Sequence, residues 1–316
     1  MKTIKKITTF AAAILCVAAI HAFDTCDFAN NSSTYVSKIS KGLNDFSDEL
    51  AIAIPQAATQ QNVWADAYIG KLFPSIPFHL GGGFNAAFTH IDTSGLSKAA
   101  KTLGISGIKD DYYYPVFTAD LRIGGVFLPF DIGIAVMKTG TIGTDAFGCD
   151  LDIDLFTIGF DFRYALLEGG LIMPKLSVGF GYFYNEGSFG AGSSTAETSV
   201  DYKVHTMYAQ AQVSKKILFL TPFLGLRALV VNYENDWDWH FKGDVASKLA
   251  NNEITVANSG KNSSDGFDFG ELQPQIFAGV GVNFLVLQAT ASVTADLRNI
   301  GDSGLWSGAF SIRIKI

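Results

Sequence analysis

The sequence predicts an all-β fold: a transmembrane antiparallel up-and-down β-barrel of about ten strands, preceded by an N-terminal amphipathic helix. Three observations predict it. From residue 77 onward, runs of residues alternate between apolar and polar, the period of a strand with two unlike faces. The links between runs are long and short by turns, as in membrane barrels. Bulky aliphatic and aromatic groups crowd one face of the runs, while glycine, small and charged residues hold the other. No stretch after residue 22 has eighteen consecutive apolar residues, so strands must carry any membrane crossing.

The chain divides into residues 1–22, 23–76 and 77–316. Lys2, Lys5 and Lys6 open a basic start, an apolar run extends from Ile7 to Ile20, and Ala22 offers a small residue before Phe23. This reads as a cleavable export signal. Cys16 lacks the small residue before it that a lipoprotein site would show. The net charge of -7 argues against nucleic acid as a partner. There are 32 glycines in 316 residues, above the roughly 7% that is usual. Beyond the leader, Cys26 and Cys149 could pair in an oxidising compartment but have no metal-ligand spacing, and no cofactor motif is present.

Residues 33–54 form the one long helical pattern. Val36, Ile39, Leu43, Phe46, Leu50 and Ile54 recur at steps of three and four, with Ser32 or Ser33 as the cap and Pro55 as the stop. Such a helix, about 33 Å long at 1.5 Å per residue, either lies beneath the barrel or plugs its lumen. A plug would bring Cys26 toward Cys149.

Ten strands follow, at about 77–91, 115–127, 130–139, 155–166, 173–185, 199–214, 217–233, 270–285, 286–298 and 304–316. In the second, Phe117, Ala119, Leu121, Ile123 and Phe127 oppose Thr118, Asp120, Arg122 and Gly124. Long links fall at 92–114, 140–154, 186–198 and 234–269, and short ones between them, as at Leu128 and Pro129. Alternation alone fits a soluble barrel too, but that would need its bulk inside. Here Phe156, Ile158, Phe160, Phe162 and Tyr164 lie opposite the charged face. The lumen is therefore expected to be lined by Asp120, Arg122, Asp161, Arg163, Arg227, Asp296, Arg298, Arg313 and Lys315, which would set selectivity or pair with one another. Tyr112, Tyr113, Tyr114, Tyr184, Tyr233 and Trp306 near strand ends fit an interfacial girdle.

The closing "GAFSIRIKI" alternates to its last residue, as a strand that pairs with the first and leaves no edge would. This end resembles the terminal strand of bacterial outer-membrane β-barrel proteins, a family that usually ends in phenylalanine where this chain has Ile316. "NVWADAYIGKLFPSIPFHLGGGFNAAFTHI" resembles the start of the barrel in spirochaete outer-membrane proteins, some related to the long-chain fatty-acid transporters, which place a plug before the first strand. The resemblance implies a Gram-negative outer membrane, its lipids and its barrel-assembly machinery as partners. The expected role is a porin-like channel or transporter for a small or apolar solute, or else a closed structural or adhesion barrel at the cell surface. A third reading rests on "DLDID" and "DWDWH", which are similar to the paired aspartates and Asp-x-His dyad of the omptin proteases. It would make Asp152, Asp238 and His240 catalytic, the imidazole acting as general base. His79 and His205 are isolated, expected to line or cap the lumen, and "GGGF" at Gly81 to Phe84 lacks the context of a phosphate cradle.

Overall fold

The computed structural model describes residues 28, 30–72, 79–104, 108–138, 142–146, 149–193, 195–251, 254–298 and 304–316, with backbone alone for 142–146, 149–153 and 191. The expected leader and Cys26 lie outside the described residues, as does the Cys149 side chain.

Ten strands close an antiparallel barrel. They are β1 (Leu80–Asp92), β2 (Asp111–Gly124), β3 (Phe130–Lys138), β5 (Cys149–Glu168), β6 (Lys175–Gly192), β7 (Ala196–Ser214), β8 (Leu220–Phe241), β10 (Gln273–Phe284), β11 (Leu287–Asp296) and β12 (Trp306–Lys315). Two short strands stand outside the ring: β4 (Ile142–Ala146) on β5, and β9 (Ala257–Ser263) on β8. The seam between first and last strands is paired from Thr89↔Ser307 to Gly81↔Lys315, and Ile316 and Leu80 exchange both backbone hydrogen bonds at 2.9 and 3.1 Å. The alternation that runs to Ile316 thus serves closure, which leaves no edge in lipid.

The faces fall as the period demands. Phe84, Leu121, Ile132, Ile134, Phe160, Phe180, Leu226, Phe310 and Ile312 point outward and are exposed, while Arg122, Asp131, Asp161, Arg163, Gln275 and Arg313 are fully buried inside. An apolar exterior around a buried charged interior is the inverse of a soluble protein and the arrangement lipid requires. Tyr113, Phe88 and Trp306 pack edge to face at 5.8–6.0 Å on the outside. Tyr112 and Tyr114, expected in the same girdle, are buried instead, because every second residue of β2 faces the lumen.

Strand extends into the expected long links. β6 and β7 continue to a tight turn after Gly192 in place of the link at 186–198, and β8 runs to Phe241, well past residue 233. Hairpin residues that leave the apolar band still pair, so a change in composition does not mark the end of a strand. Together with β4 and β9, these extensions form a sheet above the end of the barrel that carries the long connections. That sheet has its own apolar core. Trp237, Trp239, Phe241 and Val200 pack there on Phe28, Ile39 and Leu43, and also on Leu103 and Leu249 beside the loop helices α2 (Ser94–Thr102) and α3 (Gly243–Ala250).

The long helix, α1 (Ser32–Thr59), passes from this cap into the lumen. It runs past the expected stop, with Pro55 inside it and no side-chain cap at its start. Proline removes the amide that would bond one turn back. Burial within the barrel holds the helix through this break, which leaves the Ala51 carbonyl without its helical donor; at the next residue Gln273 of the wall donates to the Ile52 carbonyl at 3.2 Å. Where α1 meets α2, Gly42 and Gly95 approach so closely that a Cβ on Gly42 would stand 2.5 Å from the Gly95 carbonyl oxygen. Gly42→Val is expected to undock α2, costing about 1–3 kcal/mol. Limited proteolysis checks this, with cleavage between residues 93 and 110 accelerated in the variant.

Candidate functional site

The lumen is the site that this chain builds, and the chain itself fills it. The upper half of α1 is exposed on one side, but from Leu50 to Ile69 all residues except half-buried Ile52 are buried. After α1 a single 3-10 turn, Gln60–Asn62, leads into an extended descent toward the mouth at the short-turn end.

Charged contacts tie this descent to the wall. Asp131, at the start of β3, accepts hydrogen bonds from Arg122 Nη1 at 2.5 Å, from Arg163 Nε at 2.8 Å and from the Ile69 amide at 3.0 Å. Arg122 also donates to Asp161 at 2.6 Å. Across the lumen Arg313 pairs with Asp120 and donates to the Val63 carbonyl at 2.8 Å. Trp64 lies between the two clusters, its ring 4.5 Å from the Arg313 guanidinium and 5.5 Å from that of Arg122. Guanidinium groups stack on aromatic faces with little loss of hydrogen bonding, so one tryptophan bridges two buried charges. Gly133 makes room for this crossing, since a Cβ there would stand 2.5 Å from Arg122 Nη2.

Lower down, Asp66 accepts from Lys315 at 2.5 Å, from Gln288 at 2.8 Å and from Lys175 at 3.1 Å, while its carbonyl takes Arg163 Nη1 at 2.9 Å. Strands on different sides of the barrel thus converge on one plug carboxylate. Neutral amides complete the set. Gln212 donates to the Trp64 carbonyl at 2.7 Å, and Gln275 to Gln56 at 3.3 Å; Thr294 donates to Gln60 at 2.8 Å. The mouth is fastened by Leu72 N to the Gly125 carbonyl at 2.8 Å and by Lys71 to Glu168 at 2.9 Å.

Each residue expected to line the lumen can now be placed. Asp120, Arg122, Asp161, Arg163, Arg227 and Arg313 are buried inside and engaged with wall or plug; Arg227 rests on Tyr208 and Phe277 at 5.0 and 4.8 Å. Lys315 reaches Asp66 from the mouth. Asp296 is buried, and Arg298 lies just past the end of β11, pairing with Asp296 at 3.2 Å. Asp131, Asp66, Trp64 and the wall glutamines were not singled out in the sequence. Asp131 lies in the inward phase of β3 and could have been found by period. The glutamines carry no charge to draw notice, and Asp66 belongs to no periodic run.

Of the omptin-like residues, the side chains of Asp238 and His240 are described. Asp238 and His240 lie two apart on the outer face of the β8 extension, where His240 Nδ1 is 3.8 Å from Asp238 Oδ2, beyond hydrogen-bonding reach. Asp238 instead accepts from Ser199, and the Asp152 side chain lies outside the described residues. On this face burial, and then the carboxylates of Asp238 and Asp236, push the pKa of Asp201 up. His205 does not line the lumen. It points outward, bonded to Tyr182 at 2.6 Å, while His79 sits at the mouth against the Lys71 carbonyl at 2.8 Å.

No protein-family model matches the chain, and no curated protein does. Among solved structures it is similar to the translocator domain of the autotransporter NalP from Neisseria meningitidis, at 10% identity and a TM-score of 0.37 over 77% of this chain and 90% of that one. It is also similar to the toluene transporter TbuX of Ralstonia pickettii, at 6% identity and a TM-score of 0.27 over 84% and 93% of the two chains. A third is Ail, the attachment invasion locus protein of Yersinia pestis, at 10% identity and 0.23 over 75% and 95%. Similarities this distant carry no argument about function.

Proposed function

We propose that this protein is a closed outer-membrane barrel that holds its cap at the cell surface in a structural or adhesion role. The observation that carries this reading is the continuous filling of the lumen by residues 50–69, bonded to strands around the ring. The charges expected to select a solute are spent on one another and on the plug. Passage of a small or apolar solute would require that segment to leave. The cap, by contrast, has an apolar core of the kind that fixes a surface in one shape.

The same reading takes residues 1–22 as the export signal, the outer membrane as the location, and the barrel-assembly machinery as a partner in insertion. With the long connections outward, α1 begins at the cell surface and descends. Kinship with spirochaete barrels and fatty-acid transporters belongs to this proposal too, and rests on residues 62–91 alone.

Recording from the purified protein in a planar bilayer tests the closed state. The expected result is a silent membrane across a wide voltage range although folded protein is present. Stable unitary conductance from the intact chain would overturn it.

A further inference from the structure

At the short-turn end of the barrel, the side chains run against what tight turns ask for. Ile217 and Leu220 exchange both backbone hydrogen bonds, at 2.7 and 2.9 Å, so the β7–β8 hairpin turns within Leu218 and Phe219. Phe284 pairs with Leu287, which leaves Leu285 and Val286 as the same kind of loop between β10 and β11. The first residue of each loop is left-handed, with φ of 56° at Leu218 and 53° at Leu285, and among the described residues no other non-glycine residue is. Hairpins of this kind favour glycine, asparagine or aspartate at such a position, because a β-carbon on larger side chains strains the backbone. Both leucines accept that strain and still leave their side chains 84% and 92% exposed. In the β5–β6 turn Gly169 takes the left-handed position, yet the tip again carries exposed Leu171 and Ile172.

The polar atoms of these turns face the other way. Lys215 brings its Nζ to the carbonyls of Gly170, Leu171 and Met173 at 3.1, 2.9 and 3.0 Å. Asn283 donates its backbone amide at 2.7 Å and Nδ2 at 3.2 Å to the Phe219 carbonyl, and the Lys315 amide donates to the Val286 carbonyl at 2.7 Å. Satisfied carbonyls beneath an apolar surface are what a backbone needs where water is absent. The wall shows the same inversion and leads into the tips without a polar break, through Leu226, Leu224 and Leu220 on β8 and Val280, Val282 and Phe284 on β10. Lys216, exposed beside the β7–β8 tip, has a stem long enough to carry its ammonium to lipid phosphates. Residues 73–78 lie outside the described residues; their described flanks, Leu72 and His79, are bonded to Gly125 and Gly124 beside the β2–β3 turn, away from both leucine loops.

We propose that these turns form a membrane collar, with the tips at Leu171, Leu218 and Leu285 seated in the acyl region of the leaflet opposite the cap and not in the aqueous compartment beyond it. Lipid is the occupant because the tips continue the lipid-facing wall and keep its apolar-outward, polar-inward arrangement. The inference rests on the membrane reading above but not on the lumen being shut.

Fluorescence quenching of the full chain in phosphatidylcholine vesicles tests it, in a background carrying Cys16→Ser, Cys26→Ser and Cys149→Ser. An environment-sensitive fluorophore is attached in turn to Leu218→Cys, to Leu285→Cys, to Leu226→Cys on the outer wall and to Ser259→Cys on the exposed face of the cap. The quencher is a nitroxide on the lipid acyl chain, or iodide on both sides of the membrane. Both loop labels should be quenched by the nitroxide to a similar degree as the wall label and shielded from iodide, while the cap label shows the reverse. Iodide quenching of the loop labels to the level of the cap label, as for tips in water or reserved for a soluble partner, would overturn the proposal. Shielding from both quenchers, as in a contact between copies, would overturn it too. Loss of nitroxide quenching at residue 226 as well would defeat the membrane reading and this inference with it.

A second measurement needs no label. Leu218→Asn combined with Leu285→Asn relaxes both turns, which would stabilise a barrel whose tips stand in water. With the tips in lipid, the same change should raise the unfolding equilibrium constant in vesicles and urea roughly tenfold or more. An unchanged or lower constant would contradict the collar.

Discussion

Asp131→Ala is expected to be the most destabilising single substitution in the barrel wall, lowering the unfolding free energy by about 3–5 kcal/mol. Its two carboxylate oxygens satisfy Arg122, Arg163 and the Ile69 amide together, all of them buried. Removing the acid leaves the buried Arg163 guanidinium without a carboxylate and Arg122 with Asp161 alone, and the penalty for that uncompensated charge exceeds the loss of the bonds themselves. The comparison that isolates this cause is a variant in which the charges leave together. Asp131→Leu combined with Arg163→Met should recover part of the loss, since a buried ion pair replaced by apolar groups of similar volume is often neutral. Equilibrium urea unfolding of both variants in lipid vesicles reads the difference. A single variant within 1 kcal/mol of the parent would show that the lumen is wet enough to solvate these charges.

Excising residues 30–69 and joining the flanks is expected to turn a silent barrel into a conducting one. The wall does not depend on the plug for closure, since each of the ten neighbouring strand pairs of the ring is joined by backbone hydrogen bonds, β2 to β3 over Ala119 to Gly124. With the plug gone, the polar inner face would fill with water, and discrete current steps should follow in a planar bilayer. The price of the excision falls on the cap, where Ile39, Leu43 and Phe46 of α1 form part of the apolar core. Protease sensitivity of the outer loops should therefore rise in the same variant.

The barrel was legible in the sequence because lipid and lumen impose opposite demands on alternate residues. Phe160 and Phe162 face outward and are separated only by Asp161, fully buried inside. The end of the chain was legible for the same reason, its period surviving to Ile316. The plug was harder to read. The steps of three and four from Val36 to Ile54 give a helix, but a helix with one apolar face can lie against the cap, the lumen or a membrane surface. What places α1 is a set of polar contacts far apart in sequence, such as Asn235 to the Ser47 carbonyl at 2.7 Å and Trp237 to Asn44 at 2.8 Å. The tie between Asp66 and Lys315 spans 249 positions, and no local pattern encodes it. The strand extensions above the apolar band were missed because Asp236, Asp238 and Glu197 look like loop residues until their register is seen.

Tryptophan fluorescence in lipid tests the central claim, that the apolar face meets lipid while the other face and the plug are enclosed. The chain has four tryptophans. Trp64, Trp237 and Trp239 are buried within lumen and cap, and Trp306 stands outside in the girdle at 38% exposure. In vesicles of lipids brominated near the top of the acyl chain, the account predicts partial quenching of the intact protein and almost none once Trp306 is replaced by phenylalanine. Quenching that persists undiminished in Trp306→Phe would mean that an enclosed tryptophan touches lipid, and would contradict the inside and outside assigned to this barrel.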